Sequence, residues 1–306
     1  MTQQAIVTPV VLCVYNRPEK TQRVLDALKV AKPRHVLVIA DGPKKDDATD
    51  SRLCKEVLQI IDGVDWDAKV DFNVSPVNLG CRKRIQTGLS WSFDLVEQAI
   101  ILEDDCIPSS SFFPFCEELL QKYRDDKRVG LIGGANFQFG RDRLPESYYF
   151  SRYPLLWGWA CWRRTWDIYD ADLTSWNRDR DATWLSELLA DPLATAYWTR
   201  IFDRVKSGLD TWDYSLVFSC WRSNLLAIQP SQNMIENIGF GKEATHTLEI
   251  KSIFANIPAR EINFPLNHPF GIERNVDCDA WTEQIAFSGT ARKRLEIAER
   301  LSRLRH

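Results

Sequence analysis

Ile100-Ile101-Leu102-Glu103-Asp104-Asp105-Cys106 is the stretch on which the fold turns. An apolar run passes directly into three carboxylates, followed by Pro108 and a Ser-rich turn. The run reads as a buried strand that ends in acids. Side chains alternate along a strand, which predicts Glu103 and Asp105 on one face and Asp104 on the other. Three anions this close repel one another and resist desolvation without a cation nearby. Hard carboxylate oxygens suit Mg2+ or Mn2+, usually shared with phosphates rather than caged by protein alone. A merely solvated acidic turn is the plainer reading, and this stretch alone leaves both open.

The same strand signature recurs upstream. Val10-Val11-Leu12-Cys13-Val14-Tyr15 is a continuous apolar run broken by Asn16-Arg17-Pro18, and His35-Val36-Leu37-Val38-Ile39-Ala40 stops at Asp41-Gly42-Pro43. Such runs indicate strands buried on both faces. Val70 to Val74 is a weaker strand, and Val129 to Gly134 reads as a fifth strand and turn. Between them lie helical patterns: from Pro18 through Val24, Leu25, Leu28 and Ala31, over Asp50 to Ile61, and over Arg82 to Val96. Strand and helix alternating at this spacing predict an α/β fold, a mostly parallel sheet with helices on both faces. Ligands of such sheets bind beyond the carboxyl ends of the strands. That rule draws Asn16-Arg17, Asp41-Gly42 and Glu103-Asp104-Asp105 to one sheet edge. Neither GxGxxG after the first strand nor GxxxxGK[ST] occurs, which removes the usual dinucleotide and P-loop readings.

The 306 residues suffice for one large domain or two modest ones. A net charge of −3 argues against a nucleic-acid partner, which would call for a basic excess. The eight cysteines form no CxxC pair and several lie in apolar runs, as expected of reduced thiols in a cytoplasmic protein. No apolar run approaches the ~18 residues of a spanning helix. Residues 1–134 form a first half, 135–282 a second, and 283–306 a C-terminal basic segment. In that segment Leu295, Ala298, Leu301 and Leu304 form a stripe among arginines. A docked surface helix and a peripheral contact with an anionic membrane both fit it.

Nine of the twelve tryptophans fall between 157 and 221, densest at Trp157-Gly158-Trp159-Ala160-Cys161-Trp162. They either fill the core of the second half or offer rings that stack on sugars. Asp210-Thr211-Trp212-Asp213-Tyr214 follows a glycine break and precedes an apolar run, so an acid here can cap the next helix. Asn237 to His246 is Gly-rich and polar, as suits a loop. A histidine there is either solvated or part of the site.

Taken together, these elements resemble the GT-A nucleotide-sugar glycosyltransferases, of the family-2 type and the N-acetylglucosaminyltransferase I branch. The matching residues are Val11 to Pro18, Ile39-Ala40-Asp41-Gly42, Asn78-Leu79-Gly80, Leu102-Glu103-Asp104-Asp105, Trp157-Gly158-Trp159, Trp212-Asp213 and Gly239 to His246. The resemblance implies a Rossmann-like donor half, a Trp-rich acceptor half, a nucleoside-diphosphate sugar donor and a glycan or other hydroxyl acceptor. It also implies Mn2+ or Mg2+ as cofactor. Cys13, Tyr15 and Arg17 would contact nucleoside and diphosphate. Asp41 would meet the base, a uracil if the donor is a UDP-sugar. Arg82 or Lys83 would steady the phosphates. Asp104 would face the ribose, Glu103 the donor sugar, and Asp105 the metal, with His246 as a late metal or phosphate ligand. Trp157, Trp159 and Trp212 would line the acceptor side. Asp213 matches the base of inverting members, although a donor-side acid would leave a retaining route open. A sugar-nucleotide pyrophosphorylase shares the architecture but would carry a Gly-rich basic loop where Asn16-Arg17-Pro18-Glu19 stands. A non-catalytic carbohydrate-binding protein leaves the acid triplet unexplained.

Overall fold

A computed structural model describes residues 5–141, 144–240, 253–255 and 257–289. The apolar runs become strands β1 (Val10–Val14), β2 (His35–Ala40), β3 (Lys69–Val74) and β4 (Gln98–Glu103). They alternate with helices α1 (Pro18–Ala31), α2 (Ala48–Asp62) and α3 (Cys81–Leu95). The four strands are parallel, in the order β3-β2-β1-β4. Inner strands covered on both faces have no solvated side, so β1 is buried throughout and β2 from Val36 onward. β3 is the edge strand and half exposed, which is why its sequence signal is weak.

Beyond β4 come β5 (Cys106–Pro108), α4 (Phe112–Lys122), β6 (Val129–Gly133), β7 (Tyr148–Ser151), β8 (Trp159–Trp162) and the short helix α5 (Arg163–Trp166). They are followed by α6 (Trp176–Asp179), α7 (Trp184–Leu189), α8 (Pro192–Lys206), α9 (Asp213–Arg222), β9 (Leu226–Pro230), β10 (Ile235–Asn237), α10 (Val276–Thr282) and a π-helical turn, Glu283–Phe287. The main sheet has eight strands in the order β3-β2-β1-β4-β8-β6-β9-β7, taking strands from both sides of residue 134. Only β8 and β7 run against the rest. This is the mostly parallel α/β sheet expected from the sequence. One feature was not read there: β8, from the Trp-rich stretch, separates β4 from β6.

Side-chain alternation divides the core between two faces. Val10, Leu12, Val36, Val38, Ile100 and Leu102 pack with α1, α2 and α4. Val11, Leu37, Ile39, Ala99 and Ile101 pack with α3 and α9. A third, aromatic core joins α8 to α9 through Trp176, Trp198, Phe202, Phe218 and Trp221. Seven of the nine clustered tryptophans are buried: Trp159, Trp162, Trp166, Trp176, Trp198, Trp212 and Trp221. For these seven the ring is core. The eight cysteines are free, and all but Cys81 are buried. Among the described residues no helix is long and apolar enough to cross a membrane. The basic stripe from Leu295 to Leu304 lies outside the described residues.

Candidate active site

Because β2, β1 and β4 are adjacent and parallel, their carboxyl ends bring Asp41, Arg17 and the acid triplet to one edge. In register, Cys13 of β1 stands opposite Glu103 of β4. The strand ends at Glu103, and Asp104 and Asp105 form a turn into β5. Strand alternation therefore stops at Glu103, two residues earlier than the sequence suggested. Asp104 and Asp105 are not on opposite faces with respect to Arg17, whose Nη1 donates to Asp104 Oδ1 at 3.1 Å and to Asp105 Oδ2 at 2.9 Å. The Tyr15 N–H also points at Asp104 Oδ2, 3.4 Å away.

The charges in this cluster perturb one another. Burial holds the Glu103 carboxyl well above the usual carboxylate range, and the charges of Asp105, Asp104 and Asp213 add to that, with Arg17 opposing. Burial pushes Asp104 up to about 6 against the pull of Arg17. Burial works against the charge of Arg17, but Asp104 and Asp105 outweigh it and hold the guanidinium above its ordinary value. Burial likewise raises the Cys13 thiol. Asp213 thus lies within the electrostatic reach of Glu103 although 110 residues separate them in sequence (213 − 103).

A second ribbon shapes the far side of the triplet. β5 pairs antiparallel with β10, and the Ile238 N–H donates to the Asp105 carbonyl at 2.8 Å. This brings Gly239 against Asp105, where a Cβ would stand 2.2 Å from Asp105 Oδ2. A side chain at this position would force the Asp105 carboxylate to shift. The Gly-rich stretch after β10 therefore begins beside the acids. His246, within it, lies outside the described residues.

The other sequence-predicted residues fall as follows. Asp41 is buried and saturated: Oδ1 accepts from the N–H of Gly42 (2.9 Å) and Leu79 (3.0 Å), Oδ2 from Asn78 Nδ2 (3.1 Å) and the Gly80 N–H (3.2 Å). Burial raises its pKa while the Leu79 and Gly42 donors hold it back. Lys83 is exposed in the first turn of α3. Arg82 is turned away from the acids: Nη2 bonds Asp172 Oδ1 at 2.7 Å and the Ala171 carbonyl. Trp159 and Trp212 are buried and stack on each other, centroids 5.8 Å apart. Trp157 is half-buried, with Phe137 at 5.0 Å and Phe240 at 5.7 Å. Asp213 opens α9, and its Oδ1 accepts from the Tyr214 N–H at 2.8 Å and from the Thr211 hydroxyl.

Two residues that the sequence reading missed organise the edge. Asp50, in α2, accepts from the Tyr15 hydroxyl at 2.5 Å, Asn16 Nδ2 at 2.6 Å and the Lys44 N–H at 2.6 Å. Burial pushes its carboxyl up, but these bonds outweigh it and the pKa falls below the ordinary value. Arg84 is buried in α3 and reaches the Ala40 carbonyl at 3.1 Å and Asn73 Oδ1 at 2.6 Å, joining the ends of β2 and β3. A helical Asp or Arg carries no sequence mark of such distant partners.

The donor chemistry fits a divalent cation shared with a ligand. Asp104 and Asp105 present hard oxygens in a turn, beside the buried carboxyl of Glu103. Among the described residues no group of three His, Cys, Asp or Glu side chains is placed to hold a metal ion.

No protein-family model matches the chain. No curated protein matches it. Solved structures do match. One is the mannosyltransferase PcManGT from Pyrobaculum calidifontis in complex with GDP-Man and Mn2+, 12% identical over 72% of this chain and 71% of that one, TM-score 0.40. Another is HddC from Yersinia pseudotuberculosis, 11% identical over 53% and 80%, TM-score 0.33. A third is a UDP-glucose pyrophosphorylase complexed with UDP-glucose, 10% identical over 53% and 79%, TM-score 0.32. At these scores the likeness carries no functional weight.

Proposed function

We propose that the chain is a glycosyltransferase that moves a sugar from a nucleoside-diphosphate sugar, uridine-linked, to a hydroxyl of a glycan or other acceptor. One observation carries this: Arg17 bridges Asp104 and Asp105 at the carboxyl ends of β1 and β4, with Glu103 in the field of Asp213. A cation-binding carboxylate at Asp105, a phosphate-binding guanidinium at Arg17 and a separate carboxylate at Asp213 suit displacement of a diphosphate from an anomeric carbon.

The reaction builds positive charge on the sugar and negative charge on the leaving oxygens. When bound at Asp105, a divalent cation (Mn2+ or Mg2+) supplies Lewis-acid stabilisation of the departing diphosphate, worth several kcal/mol. Arg17 donates charge-assisted bonds to the phosphate oxygens, and Lys83 lies in the helix turn where it can add to them. Asp104 meets the ribose. Glu103, held toward its neutral form, can both donate to and accept from donor-sugar hydroxyls. The nucleoside lies against the backbone at Cys13 and the Tyr15 ring, which Asp50 holds, and Asp41 shapes the base pocket by fixing Gly42 and the 78–80 turn. Trp157 is the ring open to an acceptor, while Trp159 and Trp212 support the floor beneath it. Asp213 accepts the acceptor hydroxyl proton, a step worth about 10²–10⁴-fold. Deprotonation of the acceptor on the sugar face opposite the leaving diphosphate gives inversion. His246 stands as a further candidate ligand on the 241–252 stretch.

The test is nucleoside diphosphate release from a panel of UDP- and GDP-sugars with Mn2+ and glycan acceptors. Release that EDTA stops, that Asp213→Asn abolishes while still binding donor, and that inverts the anomer by NMR is the expected result. Pyrophosphate release from a nucleoside triphosphate and a sugar phosphate would replace the transferase with a pyrophosphorylase.

A further inference from the structure

We infer that Asp210 is a positioning residue, which fixes the candidate base Asp213 by capping helix α3 from a distance. The inference rests on the reading of Asp213 as base.

Helix α3 opens with Gly80 at its N-cap (φ +79°), where there is no side chain to satisfy the first backbone N–H groups. A carboxylate from 128 residues away does so: Asp210 Oδ1 accepts the Arg82 N–H at 2.9 Å. It also places a negative charge at the positive end of the helix. Two observations favour glycine there. Its φ is left-handed, and a Cβ would stand 3.0 Å from Asp210 Oδ2. Asp210 is itself exposed, so burial does not account for its position; the cap does.

Between Asp210 and Asp213 lie two residues that leave little slack. Trp212 is clamped by its stack on Trp159 of β8, and the Thr211 hydroxyl donates to the Asp213 carboxylate. Arg82 holds the same corner from the other side. Its guanidinium pins Asp172 and the Ala171 carbonyl, which also accepts from Ser215 Oγ of α9 at 3.2 Å. The Asp170 N–H donates to Ser219 of the same helix at 2.9 Å. Upstream, Asp41 at the end of β2 holds the N–H groups of Leu79 and Gly80. A continuous set of hydrogen bonds thus runs from the donor-side strand end, through the first turn of α3, to the start of α9. Losing the cap frees the 208–213 loop, and with it the carboxylate at the head of α9.

Crystal structures of wild type, Asp210→Ala and Asp210→Asn give the direct test, with UDP release from UDP-N-acetylglucosamine, UDP-glucose and UDP-galactose and Mn2+ as the kinetic one. Asn keeps a carbonyl that can accept from Arg82; Ala does not. In Asp210→Ala the Asp213 carboxylate should move by about 1 Å relative to Glu103, and kcat should fall roughly 10–100-fold with donor KM nearly unchanged. Asp210→Asn should hold Asp213 in place and keep most of kcat. An unmoved Asp213 in Asp210→Ala, wild-type kcat in that variant, or an Asn variant as impaired as the Ala variant would overturn the inference. Asp213→Asn, assayed alongside, separates the two ideas. Full turnover in it removes the base reading, whereas its loss with an unaffected Asp210→Ala removes only the positioning role.

Discussion

The Arg17 guanidinium stands 2.9 Å from the Asp105 carboxylate, its side chain 17% exposed and that of Asp105 16%. The residue proposed to grip phosphate and the residue proposed to grip the cation are therefore bonded to each other. Ligand arrival has to exchange that bond for two others, Arg17 to phosphate and Asp105 to the ion.

Arg17→Met tests this exchange. With Asp104 and Asp105 released, Mn2+ binding in the absence of nucleotide should tighten, while UDP affinity should weaken by about tenfold or more, the worth of one charge-assisted bond. Isothermal titration reads both. Unchanged Mn2+ affinity in the variant would mean that Arg17 does not compete for Asp105.

Asp41 separates a structural role from direct reading of the base. In Asp41→Ala the N–H groups of Gly42, Leu79 and Gly80 would lose this acceptor, while Asn78 keeps the Gly42 carbonyl, at a cost of roughly 2–4 kcal/mol in urea denaturation. A loss below about 1 kcal/mol, together with a changed nucleotide preference, would instead make Asp41 a base contact.

Asp279 of α10 supplies a pH signature away from the site. It is 3% exposed, bonded by the Ser151 hydroxyl at 2.5 Å and the Arg152 N–H at 3.1 Å. Burial raises its pKa to about 7, against the pull of Ser151 and Arg274. The folded chain thus holds this proton more tightly than the unfolded chain. That contribution is fully present below the unfolded carboxylate value near 4 and is lost as pH rises through about 7. Asp279→Asn lacks the term, so its deficit in Tm against wild type should shrink from pH 4 to 8, by about 2–4 °C for each kcal/mol involved. A constant deficit across that range would refute the assignment.

Much of this was legible in the sequence, for a physical reason. Strands buried on both faces must be apolar throughout, so β1, β2 and β4 announce themselves, and whatever follows their ends must lie at one edge. Arg17 and the acid triplet were found in that way. What failed to show depends on partners distant in the chain. Asp41 looked free because the turn that saturates it lies at residues 78–80. An acid in the 210–214 stretch reads as a cap for the helix that follows, yet Asp210 caps α3. The Trp-rich stretch left core filling and sugar stacking both open, and its aromatic richness hid the strand within Trp159-Ala160-Cys161-Trp162. Four buried residues between Gly158 and Arg163 are the mark of a short inner strand, and β8 is that strand.

The most direct measurement is a thermal-shift comparison of wild type and Asp105→Asn with UDP, with Mn2+ and with both together. A ligand that binds only the folded state raises its stability by RT ln(1 + [L]/Kd), about 2.7 kcal/mol at a hundredfold excess over Kd. Wild type should gain much more from UDP and Mn2+ together than from the sum of each alone, and Asp105→Asn, equally stable without ligand, should lose that surplus. Equal surplus in the variant, or no UDP response in wild type with Mn2+ present, would contradict a cation-linked nucleoside-diphosphate site at Asp105.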